Sequence, residues 1–316
     1  MWWWLALTAA ATEVRGMTVS TPTWGWEWGT EQMDGTLDVL RSDGVNWVAI
    51  HPYARIGTDG SVRFRDIDPD APPDWLTRPV REAHARGMKI LVVPHLAYWG
   101  SGFSWRGAVA FPDDADRARF FVEYERFLLA VAKAVPEADA LAIGSELDGT
   151  VSDEKAWRSL IASVRGSWRG PITYAANWDR VDDVPFWDAV DAIGVQAYFP
   201  LVGPGRSGDR AALDAGWDRV LSKMKTQRTG KHVVFTELGY DAGPDPAVEP
   251  WRTGGGPQGD PLQVSCLRAA LEAIDREPAV IGAFLWKWFP GEAQHGDFRM
   301  STPALQAVIR ERWAGP

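Results

Sequence analysis

Cysteine is almost missing from this chain: Cys266 is alone among 316 residues. One thiol makes neither an intramolecular disulfide nor a cysteine-based metal site. In the helix-like stretch VSCLRAALEAI it reads as a small buried hydrophobe. Clustered positive charge is missing as well. The net charge is −9 and the pI about 5.1, with no lysine or arginine patch to track a phosphate backbone, which excludes nucleic acid as the expected partner. No apolar run reaches the roughly 20 residues of a membrane span, so no membrane partner is expected. The amino-terminal MWWWLALTAAA is apolar and ends in small residues, as a secretory signal does, though without a positively charged start. Residues 1–14 are therefore expected to be a signal-like extension before one domain over 15–316. The protein is expected to be secreted or periplasmic, with a cytoplasmic location left open. GxSxG, Walker and HExxH sequences are also lacking, which removes local support for serine hydrolase, nucleotide hydrolase and zinc peptidase chemistry. GPGRSG, from Gly203, has a dinucleotide-binding spacing, but Pro204 opposes the tight turn and the stretch reads as a loop.

What the chain has in excess is tryptophan, 19 residues of it. So many large amphipathic rings point to a binding surface for a ligand with flat apolar faces. Hydrophobic residues at 46% and charged residues at 24% fit a globular protein with a sizeable core. Apolar runs GMTVS, VNWVAIH, KILVVPHL, ALAIGSE, ITYAAN, AIGVQAY, HVVFTE and VIGAFLW alternate with helix-like segments. Eight strand-then-helix units predict a single (β/α)8 barrel. The weakest unit lies between the fifth and sixth strands, where only VPFWDAV is available for a helix. Long Gly-, Pro- and Trp-rich loops after strands three, six and seven are expected to crown the carboxyl-terminal face, where barrels hold their active sites.

Two glutamates, Glu146 and Glu237, end the fourth and seventh strands. Simple alternation puts Ala142, Gly144 and Glu146 on one inner face, and Phe235 with Glu237 on another, leaving Val234 outside. Two acids in one low-dielectric site raise each other's pKa. That asymmetry suits glycoside hydrolysis, in which one carboxyl donates a proton to the leaving oxygen while the other attacks the anomeric carbon. A gap of roughly 5 to 5.5 Å between them gives retention. Either glutamate alone reads equally well as an ion-pair partner for a neighbouring arginine.

Other strand ends supply candidate substrate contacts. Tyr198 stands where a phenol would donate to Glu237. Trp286, sharing the inward parity of Phe284, is the best stacking candidate, and Trp24 and Trp26 follow the first strand. His51, His95, Asn177 and Trp178 close the second, third and fifth strands within reach of sugar hydroxyls, though strand-end histidines are more often satisfied by neighbours. Lys287 has outward parity unless a bulge turns it.

The stretches VNWVAIHPYAR, LAIGSELDG, IGVQAYFPL, VVFTELGY and FLWKWFP resemble glycoside hydrolase family 113, whose members are mostly β-1,4-mannanases, over nearly the whole chain. The resemblance implies a retaining, endo-acting β-glycosidase on a (β/α)8 barrel, with Glu146 as acid/base and Glu237 as nucleophile. Its substrate would be a β-linked polysaccharide or oligosaccharide, with no cofactor and no metal. One departure is Ser145, where many relatives in the wider superfamily have an asparagine that binds the sugar 2-hydroxyl. Two other readings remain: a metal-dependent sugar isomerase using His51, His95, Glu146 and Glu237, and a glycan-binding barrel without turnover.

Overall fold

The computed structural model describes residues 13–206, 208–227, 230–291 and 297–314. The apolar run at the amino terminus falls outside them up to residue 12. The strands are Val14–Val19 (β1), Trp47–Ile50 (β2), Tyr53–Ile56 (β3), Val62–Arg63 (β4), Lys89–Val92 (β5), His95–Ala97 (β6), Ala140–Ser145 (β7), Ile172–Asn177 (β8), Ala192–Gln196 (β9), Val233–Leu238 (β10) and Val280–Trp288 (β11). Eight of them close a barrel in the order β1-β2-β5-β7-β8-β9-β10-β11, every neighbouring pair parallel. Among the described residues no helix is long and apolar enough to cross a membrane.

The other three strands form a small sheet, β4-β3-β6. Pro52 and Pro94 account for it: proline has no N–H to continue a ladder, so β2 and β5 stop. The chain then re-pairs beyond, with Tyr53 opposite His95. His95 therefore belongs to this accessory strand rather than to the third barrel strand.

Helices Glu31–Ser42 (α1), Asp74–Ala85 (α2), Asp114–Ala134 (α3), Glu154–Ser167 (α4), Arg210–Gln227 (α5), Pro261–Asp275 (α6) and Pro303–Trp313 (α7) surround the barrel. Their starts follow capping rules: Asp113, Asp153 and Asp260 accept backbone N–H bonds, and α6 and α7 begin with proline. The unit after β8 has only 3-10 turns, at Val181–Asp183 and Trp187–Ala189. Phe186 fills the missing helix's place, fully buried and stacked on Trp157 at 5.2 Å.

Inside the barrel Val14, Trp47, Leu91, Ala142, Ala192, Val234, Ile281 and Phe284 pack together. Simple alternation fails along the strands of both glutamates. Val234 points inward, whereas Phe235 packs outward on Trp217 and Phe199. Two residues of β10 then face one of β9, since Phe235 pairs with Val195 and Glu237 with Gln196. Along β7, Ala142 pairs with Thr173 but Ser145 with Ala175, and a Cβ on Gly144 would lie 2.8 Å from outward-facing Tyr174. Bulges thus reset the parity just before both glutamates.

Gly282 closes the seam between β11 and β1. Its φ is 142°, and a Cβ there would stand 2.0 Å from the Val14 carbonyl oxygen. Gly282→Ala should cost about 2 kcal/mol or more through forbidden backbone and overlap, read as a lower urea midpoint. An unchanged midpoint would show the seam to be more pliable than this contact allows.

Candidate active site

Glu146 leaves β7 in the left-handed region, at φ 56°. A non-glycine residue there is uncommon and is held by its surroundings. Its own N–H donates to the Ala175 carbonyl at 2.9 Å, and the next N–H, of Leu147, donates to the Tyr174 hydroxyl at 2.9 Å. The side chain meets Arg106, whose Nε donates to Glu146 Oε2 at 3.0 Å while Nη2 reaches the same oxygen. Arg106 rides a 3-10 turn, Arg106–Ala108, in the loop before α3. Burial works against its charge, but Glu146, Tyr53 and Glu237 outweigh that and hold its pKa above the usual value.

Glu237 is nearly sealed from solvent, and each of its oxygens meets a donor. Tyr198 Oη donates to Oε2 at 2.7 Å and Gln196 Nε2 donates to Oε1 at 2.9 Å. Gln196 is itself locked, its Oε1 accepting from Thr236 Oγ1 and its Nε2 reaching Ser145 Oγ at 2.9 Å. Burial first, and the Glu146 charge second, push the Glu237 pKa up to about 7, against the pull of Arg106, Tyr198 and Gln196. Tyr198, raised by burial and by Glu237, stays a phenol and therefore a donor.

These groups line a cleft of about 580 Å³, a size ordinary for a ligand site. Tyr98, Trp105, Arg106, Asn177, Trp178, Asp179, Trp251, Trp286 and Phe298 complete its wall. Glu146, Glu237, Asn177, Trp178, Tyr198 and Trp286 thus come together as the strand ends suggest. Asn177 donates to Asp148 at 2.8 Å, and burial raises the Asp148 carboxyl to about 6.

Other expected contacts are placed differently. His51 and His95 lie beneath the cleft, stacked on each other at 5.0 Å and tilted against Trp286 at 5.5 and 6.4 Å. Neither ring nitrogen of either histidine has a hydrogen-bond partner among the described residues. Burial drives His51 down to about 3 and His95 well below its usual value, so both are neutral. Trp24 and Trp26 are not part of the cleft wall. Gly25, at φ 111°, turns the chain between them; Trp24 packs edge-on against Tyr53 under Arg55, and Trp26 stands in solvent. Lys287 does not face the helices. Thr18 pairs with Trp286 and Val19 with Trp288, and this one-residue bulge lays the Lys287 ammonium over the rings of Trp286 and Phe289. Ser145 Oγ accepts from Gln196 Nε2 at 2.9 Å. Cys266 is fully buried, its thiol pushed up to about 12 by burial.

Sequence reasoning missed Arg106, Tyr98, Trp105, Asp179, Trp251 and Phe298. All sit in loops or beyond strand ends, where no periodicity assigns a direction. The available signal was composition, since Arg106 and Trp105 belong to the long aromatic loop after the third strand and Trp251 to that after the seventh.

A closed barrel with two carboxylates at the ends of its fourth and seventh strands, facing one aromatic cleft, has the architecture of a glycoside hydrolase. The family model of Glycoside Hydrolase Family 113 matches residues 17–298. The chain belongs to that family. It is similar in structure to a GH113 β-1,4-mannanase, with a TM-score of 0.79 at 20% identity over 97% of this chain and 100% of the other. It is also similar to the GH113 β-mannanase of Alicyclobacillus acidocaldarius, with a TM-score of 0.76 at 25% identity over 96% of this chain and 98% of that one. A β-glucuronidase from Ruminococcus gnavus shares the fold at TM-score 0.65 and 14% identity, over 96% of this chain and 50% of the other. No curated protein sequence matches.

Tyr198 lowers the Glu237 pKa by donating to its charged form. Tyr198→Phe should therefore move the Glu237 titration, read by NMR of the carboxyl carbon, upward from about 7, by about one unit. A titration that stays put or moves down would show that the phenol does not support the charged form.

Proposed function

We propose that this glycoside hydrolase cleaves β-1,4-linked mannan-type polysaccharides or oligosaccharides internally, with retention at the anomeric carbon. The observation that carries the reading is the unequal setting of the two acids. Glu237 has both oxygens occupied by neutral donors, so it is fixed and supported as a carboxylate. Glu146 stands at the cleft wall in an ion pair with Arg106. The mannanase relatives support the choice of sugar.

In the first step Glu237 attacks the anomeric carbon, the bond to the leaving oxygen breaks, and that oxygen takes the proton of Glu146. Arg106 has to release Glu146 for that carboxyl to carry a proton. In the second step Glu146 takes a proton from water, the water oxygen bonds to the anomeric carbon, and the bond to Glu237 breaks. Preorganised donors around Glu237 lessen reorganisation in both steps. The steps need no metal or cofactor. A sugar isomerase would need a ligand set, and among the described residues no three metal-binding side chains converge. A binding-only barrel would have no use for two acids held so differently.

The test is reducing-sugar release from mannan, glucomannan, xylan and β-glucan, with and without EDTA. Mannan cleavage that survives chelator is expected. Glu146→Ala should lower it by about 10²–10⁴-fold, and Glu237→Gln by at least as much. Near-normal activity in either variant overturns the assignment, and proton NMR showing the inverted anomer first overturns retention.

The Glu237 carboxyl also weighs on stability. Its folded pKa, about 7, lies above the ordinary 4.5, so the folded state holds its proton longer. Stability is lost as pH rises through that window and stays lost above it. Glu237→Gln should thus unfold at higher urea than wild type at pH 8, with the gain vanishing near pH 4. An equal gain at both pH values would trace it to packing instead.

A further inference from the structure

We propose that Trp178 and Trp251 form a subsite for a sugar on the leaving-group side of the scissile bond, an assignment that rests on the glycosidase reading above. The two indoles come from different loops, after β8 and β10, and lie parallel: 14° between planes, 5.7 Å between centroids. Trp178 also packs on Phe199, so the pair is anchored below. Trp251 is 47% exposed, a large apolar ring left in water at the cleft wall, as a binding face is.

The Trp251 loop is held before any ligand arrives. Asp241, buried beneath it, accepts from Gly254 N and Phe298 N at 2.8 Å each, and from Gln258. Ala242 and Gly254 approach so closely that a Cβ on Gly254 would stand 2.2 Å from the Ala242 oxygen. A ring fixed in this way costs little to order on binding.

Position around the barrel decides which sugar it meets. Trp286, near the end of β11, floors the cleft over the two histidines on one side of the acids; Trp178 follows β8, beside the Glu146 strand, and Trp251, though its loop follows β10, reaches across to stack on Trp178. The ring attacked by Glu237 therefore lies toward Trp286. The unit whose oxygen Glu146 protonates departs toward Trp178 and Trp251. A hexopyranose offers that pair an apolar C–H face, and its hydroxyl rim meets Asn177, whose amide donates to Asp148, and Asp179, which also lines the wall.

The experiment compares manno-oligosaccharides of three to six units, labelled with ¹⁸O at the reducing end, on wild type, Trp251→Ala and Trp251→Phe. Trp251→Ala should lower the hexaose-to-triose ratio of kcat/KM by about tenfold, the worth of one good ring contact. It should also shift cleavage toward the reducing end, because fewer units are then held beyond the bond. Trp251→Phe, which keeps a flat ring, should recover most of both. An unchanged ratio and pattern, or a shift toward the non-reducing end, overturns the subsite while leaving the glycosidase reading intact. Failure of wild type to cut any oligosaccharide overturns both.

Discussion

A carboxylate buried beside a second carboxylate is costly to ionise, and the mouth of the barrel is arranged around it. Burial and the Glu146 charge oppose ionisation of Glu237; Arg106, Tyr198 and Gln196 oppose that opposition, and the balance lands near neutrality at about 7. Removing Arg106, Tyr198 or Gln196 would raise the Glu237 pKa further. The same balance explains why Gln196 is fully buried and bonded at both ends of its amide. A free amide could flip and offer its oxygen to the carboxylate, which would repel it.

The backbone solves a geometric problem at the same strands. A regular ladder would carry each acid outward or inward by parity alone. The bulges in β7 and β10, with the left-handed backbone at Glu146, aim both side chains over the mouth while Ala142 and Val234 still fill the lumen. Strain of this kind persists only where the surroundings hold it, and here Ala175 and Tyr174 grip the two amides after the bulge.

The bulges also mark the limit of what the chain discloses on its own. Strand order, barrel closure and the strand-end placement of Glu146 and Glu237 follow from apolar runs and their spacing, and were legible. Facing was not: Phe235 and Gly144 take the opposite side from simple alternation because a bulge leaves no trace in a hydrophobic pattern. His95 was assigned one element too early for a related reason, since Pro94 ends the barrel strand but the apolar run reads through it. Arg106 was invisible because a loop has no period. Only its distance in space, not in sequence, pairs it with Glu146, forty positions later.

Tryptophan content hinted at a binding surface, yet several of the rings belong to the frame rather than to the cleft. Trp28, Trp157 and Trp168 are buried and give their indole N–H to the carbonyls of Val19, Thr150 and Pro171. Each is a strut whose polar edge is committed to the frame, as burial demands. Trp251 and Trp105 instead keep much of their surface in water while lining the cleft. An exposed indole gains by covering that surface, and a ring pinned through its loop has already lost the freedom that binding would cost. The division between strut and platform is therefore made by the loops rather than by the barrel. The same eight strands and the same two acids can thus stay in place while the segments that carry Trp105, Trp178 and Trp251 are rebuilt.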